Sequence, residues 1–133
     1  MTLFKLEINT PDKIFFSGET ENVIVRTTVG DKGILARHEN YVAALGTGKV
    51  RVMLDGNFRN AAVSSGIVKV GNDKTTIIAQ SCEWGDEIDV ERAEKAKAKA
   101  EEKLNQPSLS DNEIAVAQFK LKRALNRLNT AEK

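Results

Sequence analysis

The apolar residues of this 133-residue chain repeat with two different periods, and the period changes only once along the sequence. From Leu3 to about Ser81, apolar and polar residues alternate in short runs that are broken by turn residues, as expected for strands. From Ile88 onward, apolar residues recur every three or four positions, which is the spacing of an amphipathic helix. The sequence therefore predicts an α+β chain with a β-domain at residues 1–86 and a helical domain at residues 87–133.

The β-domain is predicted to be an antiparallel sandwich. Asp55-Gly56 separates two alternating runs and is a preferred two-residue hairpin turn. Gly71, Asn72 and Asp73 separate the last two runs before the helical part begins. Many short strands with closely spaced turns are typical of two antiparallel sheets that pack face to face.

The helical domain is predicted to be an antiparallel two-helix hairpin. Pro107 ends the first helix, because proline has no backbone N–H, and Ser110 with Glu113 forms a capping box that starts the second. An apolar face made of alanine lets helices approach closely but buries little area, so we expect the hairpin to need a further docking surface and to detach readily. The apolar face of the first helix is Ala93, Ala96 and Ala100, and that of the second is Ile114, Ala117, Leu121, Ala124, Leu125 and Leu128.

Charge and cysteine content argue against several functional classes. The chain has 20 basic and 19 acidic residues, a formal net charge of +1, whereas a dedicated nucleic-acid binder is markedly basic. The single cysteine, Cys82, cannot form an internal disulfide, which favours a reducing compartment. No apolar run is long enough to cross a bilayer and no signal-peptide pattern is present, so we expect membrane association only through a partner.

No catalytic or metal-binding motif is evident. The sequence contains no P-loop, Rossmann fingerprint or cysteine/histidine spacing typical of a metal site. The single histidine, His38, is expected to serve a structural or interface role, and Cys82 lacks the surroundings of a nucleophile. The residues alone therefore give no candidate for catalysis, and we expect that no cofactor is required.

Several short motifs follow one another in a fixed order along both parts of the chain. They are Thr10-Pro11-Asp12, Gly33-Ile34-Leu35, Val63–Gly66, Ile77–Gln80, Ile88–Ala93 and Leu121–Leu128. In these motifs and in their order, the chain resembles the epsilon subunit of bacterial F-type ATP synthases over essentially its whole length. It departs from the family at Leu35–Asn40, where both prolines of the usual pattern are missing, so this loop is less preorganised.

The resemblance implies a non-catalytic rotor subunit in the central stalk, at the cytoplasmic face of the bacterial membrane. The sandwich would hold the gamma subunit and rest on the c-ring, with Asp31, Arg37 and His38 assigned to the ring by analogy of position. A compact hairpin would leave the motor free. An extended hairpin would reach the catalytic alpha and beta subunits and inhibit ATP hydrolysis.

The resemblance also implies that ATP is a regulatory ligand. Some bacterial members bind ATP at an Ile/Leu-Asp-x-x-Arg-Ala motif, which stabilises the compact hairpin, and residues 88–93 match this motif in full. Guanidinium groups can hold phosphate oxygens in forked geometry, whereas Lys99, at a position that is often arginine in the family, keeps only the charge. The residues implied to contact ATP are Glu83, Asp89, Arg92, Ala93, Lys99, Arg123 and Arg127.

Other interpretations stay open. Asp89 and Arg92 also suit the first turn of any helix, where an acidic residue and an i,i+3 ion pair are common. For the whole chain, the alternatives are a freestanding ATP-sensing module and a β-sandwich adaptor with a basic helical arm for RNA or acidic proteins. The basic residues of that arm are Lys95, Lys97, Lys99, Lys120, Lys122, Arg123 and Arg127.

Overall fold

The computed structural model describes residues 2–36 and 39–131. The chain divides into two compact units, Met1–Trp84 and Gly85–Lys133. Strands and turns make up the first unit, and the second consists of a single 3₁₀ turn followed by two α-helices. The predicted α+β class, a β-sandwich followed by two helices, is confirmed.

The strands of the first unit form one eight-stranded hydrogen-bonded sheet that folds over itself. They are β1 (Phe4–Asn9), β2 (Ile14–Thr20), β3 (Asn22–Thr27), β4 (Gly30–Leu35), β5 (Tyr41–Leu45), β6 (Gly48–Leu54), β7 (Asn57–Val70) and β8 (Lys74–Trp84). Their order is β2-β1-β8-β7-β5-β3-β4, and β6 pairs with β3 and β7. One pair departs from the predicted antiparallel arrangement, because β1 and β8 run parallel. No hairpin turn links these two strands, so no local pattern indicates their relative direction.

The long strand β7 changes partner along its 14 residues. Its first half pairs with β6 and its second half with β5, while β8 runs beside both halves. The change occurs at Ser64-Ser65-Gly66, where Ser65 has a φ of 32°. A Cβ atom on Gly66 would lie 2.1 Å from the carbonyl oxygen of Ile78, so only glycine allows β8 to approach this closely. By pairing with β6 and then with β5, β7 links both groups of strands around one core.

The core contains the inward-facing residues predicted from the two-residue period. In β3, for example, Val23 and Val25 are fully buried, whereas Ile24 between them is only half-buried. Each aliphatic side chain of this size contributes about 1.5–3 kcal/mol when it is removed from water. The largest fully buried apolar side chains are Leu6, Ile8, Ile34, Ile77, Val23, Val25, Val50, Val52 and Val68.

The second unit is the hairpin of α1 (Val90–Leu104) and α2 (Asp111–Ala131), preceded by a 3₁₀ turn at Gly85–Glu87. The predicted capping box is present, because the Ser110 hydroxyl accepts from the Glu113 N–H and the Glu113 carboxylate accepts from the Ser110 N–H, each at 3.1 Å. Ser108, in the connection, has a φ of 62°.

The two helices bury small residues. Ala93 and Ala100 are the buried residues of α1, and Ala117, Ala124 and Thr130 are those of α2. In each helix the two alanines are seven positions apart, so they lie on one stripe. Ala96 is exposed, and the larger apolar residues of α2 are half-buried or exposed, so the predicted apolar faces are only partly buried. Small buried residues such as these allow two helix backbones to approach closely.

Candidate functional site

An open groove of about 620 Å³ runs between α1 and α2, and we call it the hairpin groove. Alanines from both helices, Ala100, Ala117 and Ala124, form part of its lining. Because an alanine side chain ends at Cβ, the neighbouring long side chains can border an open space instead of filling it. Its charged lining residues are Lys99, Lys103, Lys120, Arg123 and Arg127, with the carboxylates Glu102 and Glu113.

The excess of cations gives the hairpin groove the chemistry of an anion site. Lys99, Lys120 and Arg123 are exposed, so their attraction for an anion is screened by salt. Arginine and lysine together can engage phosphate oxygens through charge-assisted hydrogen bonds. The groove is therefore suited to a phosphate-bearing ligand or an acidic peptide segment.

The residues that the family resemblance assigns to ATP lie on several different elements. Lys99, Arg123 and Arg127 line the hairpin groove together. Asp89 and Arg92 lie at the start of α1 and do not line it. A further member, Glu83, is part of β8 in the first unit.

Asp89 has a structural role that the sequence left open. It is the N-cap of α1, and its Oδ1 accepts a hydrogen bond from the Arg92 N–H at 3.0 Å. In the part of the chain that the structure describes, the Arg92 guanidinium is exposed and forms no ion pair with Asp89. Ala93 is fully buried and packs within the protein. The helix-start interpretation of the motif is thus realised, without the predicted i,i+3 ion pair.

The predicted ring-facing residues are only partly described. Asp31 lies in β4, where its carboxylate accepts from the Arg26 guanidinium of β3, with Nη2 3.3 Å from Oδ2. This hydrogen bond is the main reason that the pKa of Asp31 is lowered. The turn before β4 presents Val29, whose side chain is 96% exposed. Arg37 and His38, the other two predicted residues, lie outside the described residues.

An apolar row that was not predicted from the sequence lies on the outer face of the sheet. Ile67 of β7 pairs with Ile78 of β8 and with Ala44 of β5, and Val42 lies two residues before Ala44 on the same face. Val42, Ile67 and Ile78 are 63%, 40% and 48% exposed. The signal was available, because Ile67-Val68 and Ile77-Ile78 place apolar residues on both faces of their strands. We call these four residues the outer apolar row.

Cys82 does not have the properties of a nucleophile. It is half-buried in β8, and burial raises the pKa of its thiol to about 12. The reactive form is the thiolate, so Cys82 is inert near neutral pH. Among residues 2–36 and 39–131, no group of acidic, cysteine and histidine side chains is arranged to hold a metal ion. In the same ranges, neither helix is both long and apolar enough to span a membrane.

Comparison with known proteins gives a consistent result over the whole chain. The family model for the ATP synthase Delta/Epsilon chain beta-sandwich domain matches residues 3–85, and the model for its long alpha-helix domain matches residues 86–132. The ATP synthase epsilon chain of Ruminococcus albus is 47% identical, with 100% of this chain and 99% of the relative covered. That of Bacillus pumilus is 45% identical, with 100% of both chains covered.

Solved structures support the same fold. A chain in the mitochondrial ATP synthase of Euglena gracilis superimposes with a TM-score of 0.81 at 23% identity, covering 92% of this chain and 78% of that one. A chain in the central stalk and c-ring structure of the Tetrahymena thermophila enzyme gives 0.69 at 13% identity, with 96% of each covered.

The family models and the full-length relatives agree on what kind of protein this is. The expectation of a subunit of the synthase that is not itself an enzyme is confirmed by the family match and the relatives' names. This chain belongs to the ATP synthase Delta/Epsilon chain family.

Proposed function

We propose that the chain couples the gamma subunit of an F-type ATP synthase to the membrane c-ring and regulates ATP hydrolysis through its helical hairpin. The observation that carries the proposal is the match of both family models, sandwich and helical, to the two folding units of one chain. The full-length relatives favour this role over a freestanding nucleotide sensor or an RNA-binding adaptor. The complex would hold the chain at the cytoplasmic face of the bacterial membrane.

The sandwich offers two surfaces for this role. We assign the outer apolar row to the gamma subunit, since exposed side chains such as Ile67 and Ile78 gain stability when a partner covers them. We assign the β3–β4 turn, with Val29 and the Arg26–Asp31 pair, to the c-ring.

The hairpin has the properties of an arm that can change its position. Its buried residues are mainly alanines, which contribute little burial energy, whereas Val116, Phe119 and Leu125 are each more than two-fifths exposed. An extended arm could bury these larger side chains against the catalytic subunits. The free energy gained by burying these side chains would offset the free energy lost when the compact state opens.

ATP is the proposed regulatory ligand of the compact hairpin. Support comes from the hairpin groove, in which Lys99, Arg123 and Arg127 are gathered as the resemblance requires. Asp89, Arg92, Ala93 and Glu83 stay in the proposal through the motif match. In this scheme, a phosphate group in the groove would bridge α1 and α2 and favour the compact arm.

The coupling role can be tested by co-purification of this chain with the gamma subunit. Ile78→Glu places a charge in the outer apolar row and is expected to weaken gamma binding roughly tenfold or more. Ile14→Glu is the matched control, because Ile14 is also an exposed isoleucine (63%, against 48% for Ile78) but lies on β2, outside the row. Retention of gamma by the Ile78 variant at the level of the control would contradict the assignment.

A further inference from the structure

Glu113 joins α1 to α2 and caps α2 at the same time. One carboxylate oxygen accepts the Ser110 N–H at 3.1 Å, and the other lies 3.2 Å from the Nζ of Lys103. Lys103 is in the last turn of α1, and Glu113 is in the first turn of α2. The hydrogen bonds from Ser110 and Lys103 lower the pKa of Glu113, so the carboxylate is charged near neutral pH.

The Lys103–Glu113 ion pair lies where a small interaction energy can affect how often the hairpin opens. An exposed ion pair is worth little by itself, and a helix cap somewhat more. The alanine contact between the helices, however, is also weak, so small terms decide how often the hairpin opens. Both charges also match the helix termini on which they lie, a cation at the end of α1 and an anion at the start of α2.

We infer that Glu113 is a clasp that makes closure of the hairpin and formation of the first turn of α2 depend on each other. While Lys103 holds one carboxylate oxygen, the other is oriented toward the Ser110 N–H. When the helices separate, the Lys103 ammonium group no longer orients the Glu113 carboxylate. The first turn of α2 then frays more easily. The clasp belongs to the closed hairpin itself, and only its effect on regulation rests on the proposed function.

The chain offers substitutions that separate the two halves of the clasp. Glu113→Gln keeps the cap, because glutamine also serves in a capping box, but removes the charge that Lys103 pairs with. Ser110→Ala removes the hydroxyl that caps α2 and leaves the ion pair in place. Lys103→Gln removes the pair from the other side.

The test is amide hydrogen exchange of the full chain, followed by mass spectrometry, without nucleotide or partner. Glu113→Gln is expected to speed exchange roughly two- to fivefold both in the last turn of α1 and in the first turn of α2, the range of an exposed ion pair. Lys103→Gln should do the same, and the double variant should exchange no faster than either single one. Ser110→Ala should act mainly on α2.

Measuring the same hydrogen exchange at high ionic strength gives a second test. The difference between the Glu113→Gln variant and the parent should shrink at about 1 M salt, where exposed charges are screened, whereas that of Ser110→Ala should persist. The proposal would be overturned if Glu113→Gln exchanged at the parental rate. It would also be overturned if the effects of Lys103→Gln and Glu113→Gln on the exchange rate were additive. Either result leaves the proposed function intact, since no part of the synthase is present in the measurement.

Discussion

The carboxylate of Asp89 accepts a hydrogen bond from the backbone N–H of Arg92 at 3.0 Å, and so begins α1 instead of pairing with the Arg92 guanidinium. The same two residues are the fixed polar positions of the motif at residues 88–93 to which the proposed function assigns ATP. One side chain thus has two candidate roles, a helix cap and a ligand contact.

Substitution of Asp89 separates these roles. Asparagine is as good an N-cap as aspartate, so Asp89→Asn should leave hairpin stability nearly unchanged, whereas Asp89→Ala should cost about 1 kcal/mol. Helicity during thermal unfolding measures this difference. If the carboxylate also contacts ATP, calorimetric titration will show weaker binding for both variants. Full ATP affinity in Asp89→Asn would restrict Asp89 to its capping role.

The cationic side chains that line the hairpin groove, and the donor geometry at position 99, should decide how tightly the groove binds phosphate. Lys99→Arg supplies the forked geometry that lysine lacks and is expected to tighten ATP binding several-fold, while Arg123→Gln should weaken it roughly tenfold, as for a lost charged hydrogen bond. Lys97→Arg is the matched control, because Lys97 lies on α1 but does not line the groove. If calorimetry gave equal ATP affinities for all three variants, the hairpin groove would not be part of the ATP site.

Gly66 should be among the least replaceable residues of the sandwich. A Cβ there would lie 2.1 Å from backbone oxygen, so Gly66→Ala forces β7 and β8 apart and should cost more than about 2 kcal/mol, as overpacking does. Gly46→Ala is the control, because no atom lies within 4 Å of its Cβ position. Denaturant unfolding followed by Trp84 fluorescence reports on this unit. Equal midpoints for the two variants would contradict the close approach of the strands.

The Arg26–Asp31 hydrogen bond should make the stability of the fold depend on pH in the acid range. Because the pKa of Asp31 is lower in the folded chain than in the unfolded one, the bond stabilises the fold above the ordinary aspartate range. This stability is lost as the pH falls through the lowered value. In Arg26→Gln, an NMR titration should show the Asp31 pKa returning toward its ordinary value. An unchanged titration would show that Arg26 does not hold this carboxylate.

The sequence pattern predicted those parts of the fold that depend on residues close together in the chain. The alternation through Val23 and Val25 identified the buried face, and Asp55-Gly56 identified a turn, where both residues have positive φ values of 51° and 82°. The capping box was equally local. Each of these features depends on residues within a few positions of one another.

Features that depend on long-range register were not predictable in the same way. The parallel pairing of β1 with β8 joins the two ends of the first unit. The hairpin groove brings Lys99 of α1 beside Arg123 of α2 only in one register of the helices. The contact of Glu113 with Lys103 also crosses the hairpin, so the sequence showed only its local partner, Ser110.

The central claim is that the hairpin regulates hydrolysis while the sandwich holds the chain in the complex. The direct measurement is the rate of ATP hydrolysis by the synthase assembled with the full chain or with a chain that ends at Glu87. Both chains should co-purify with gamma in equal amounts, and the shortened chain should give the faster rate, with the difference shrinking as ATP favours the compact arm. Equal rates at low ATP, with both chains fully bound, would contradict the account.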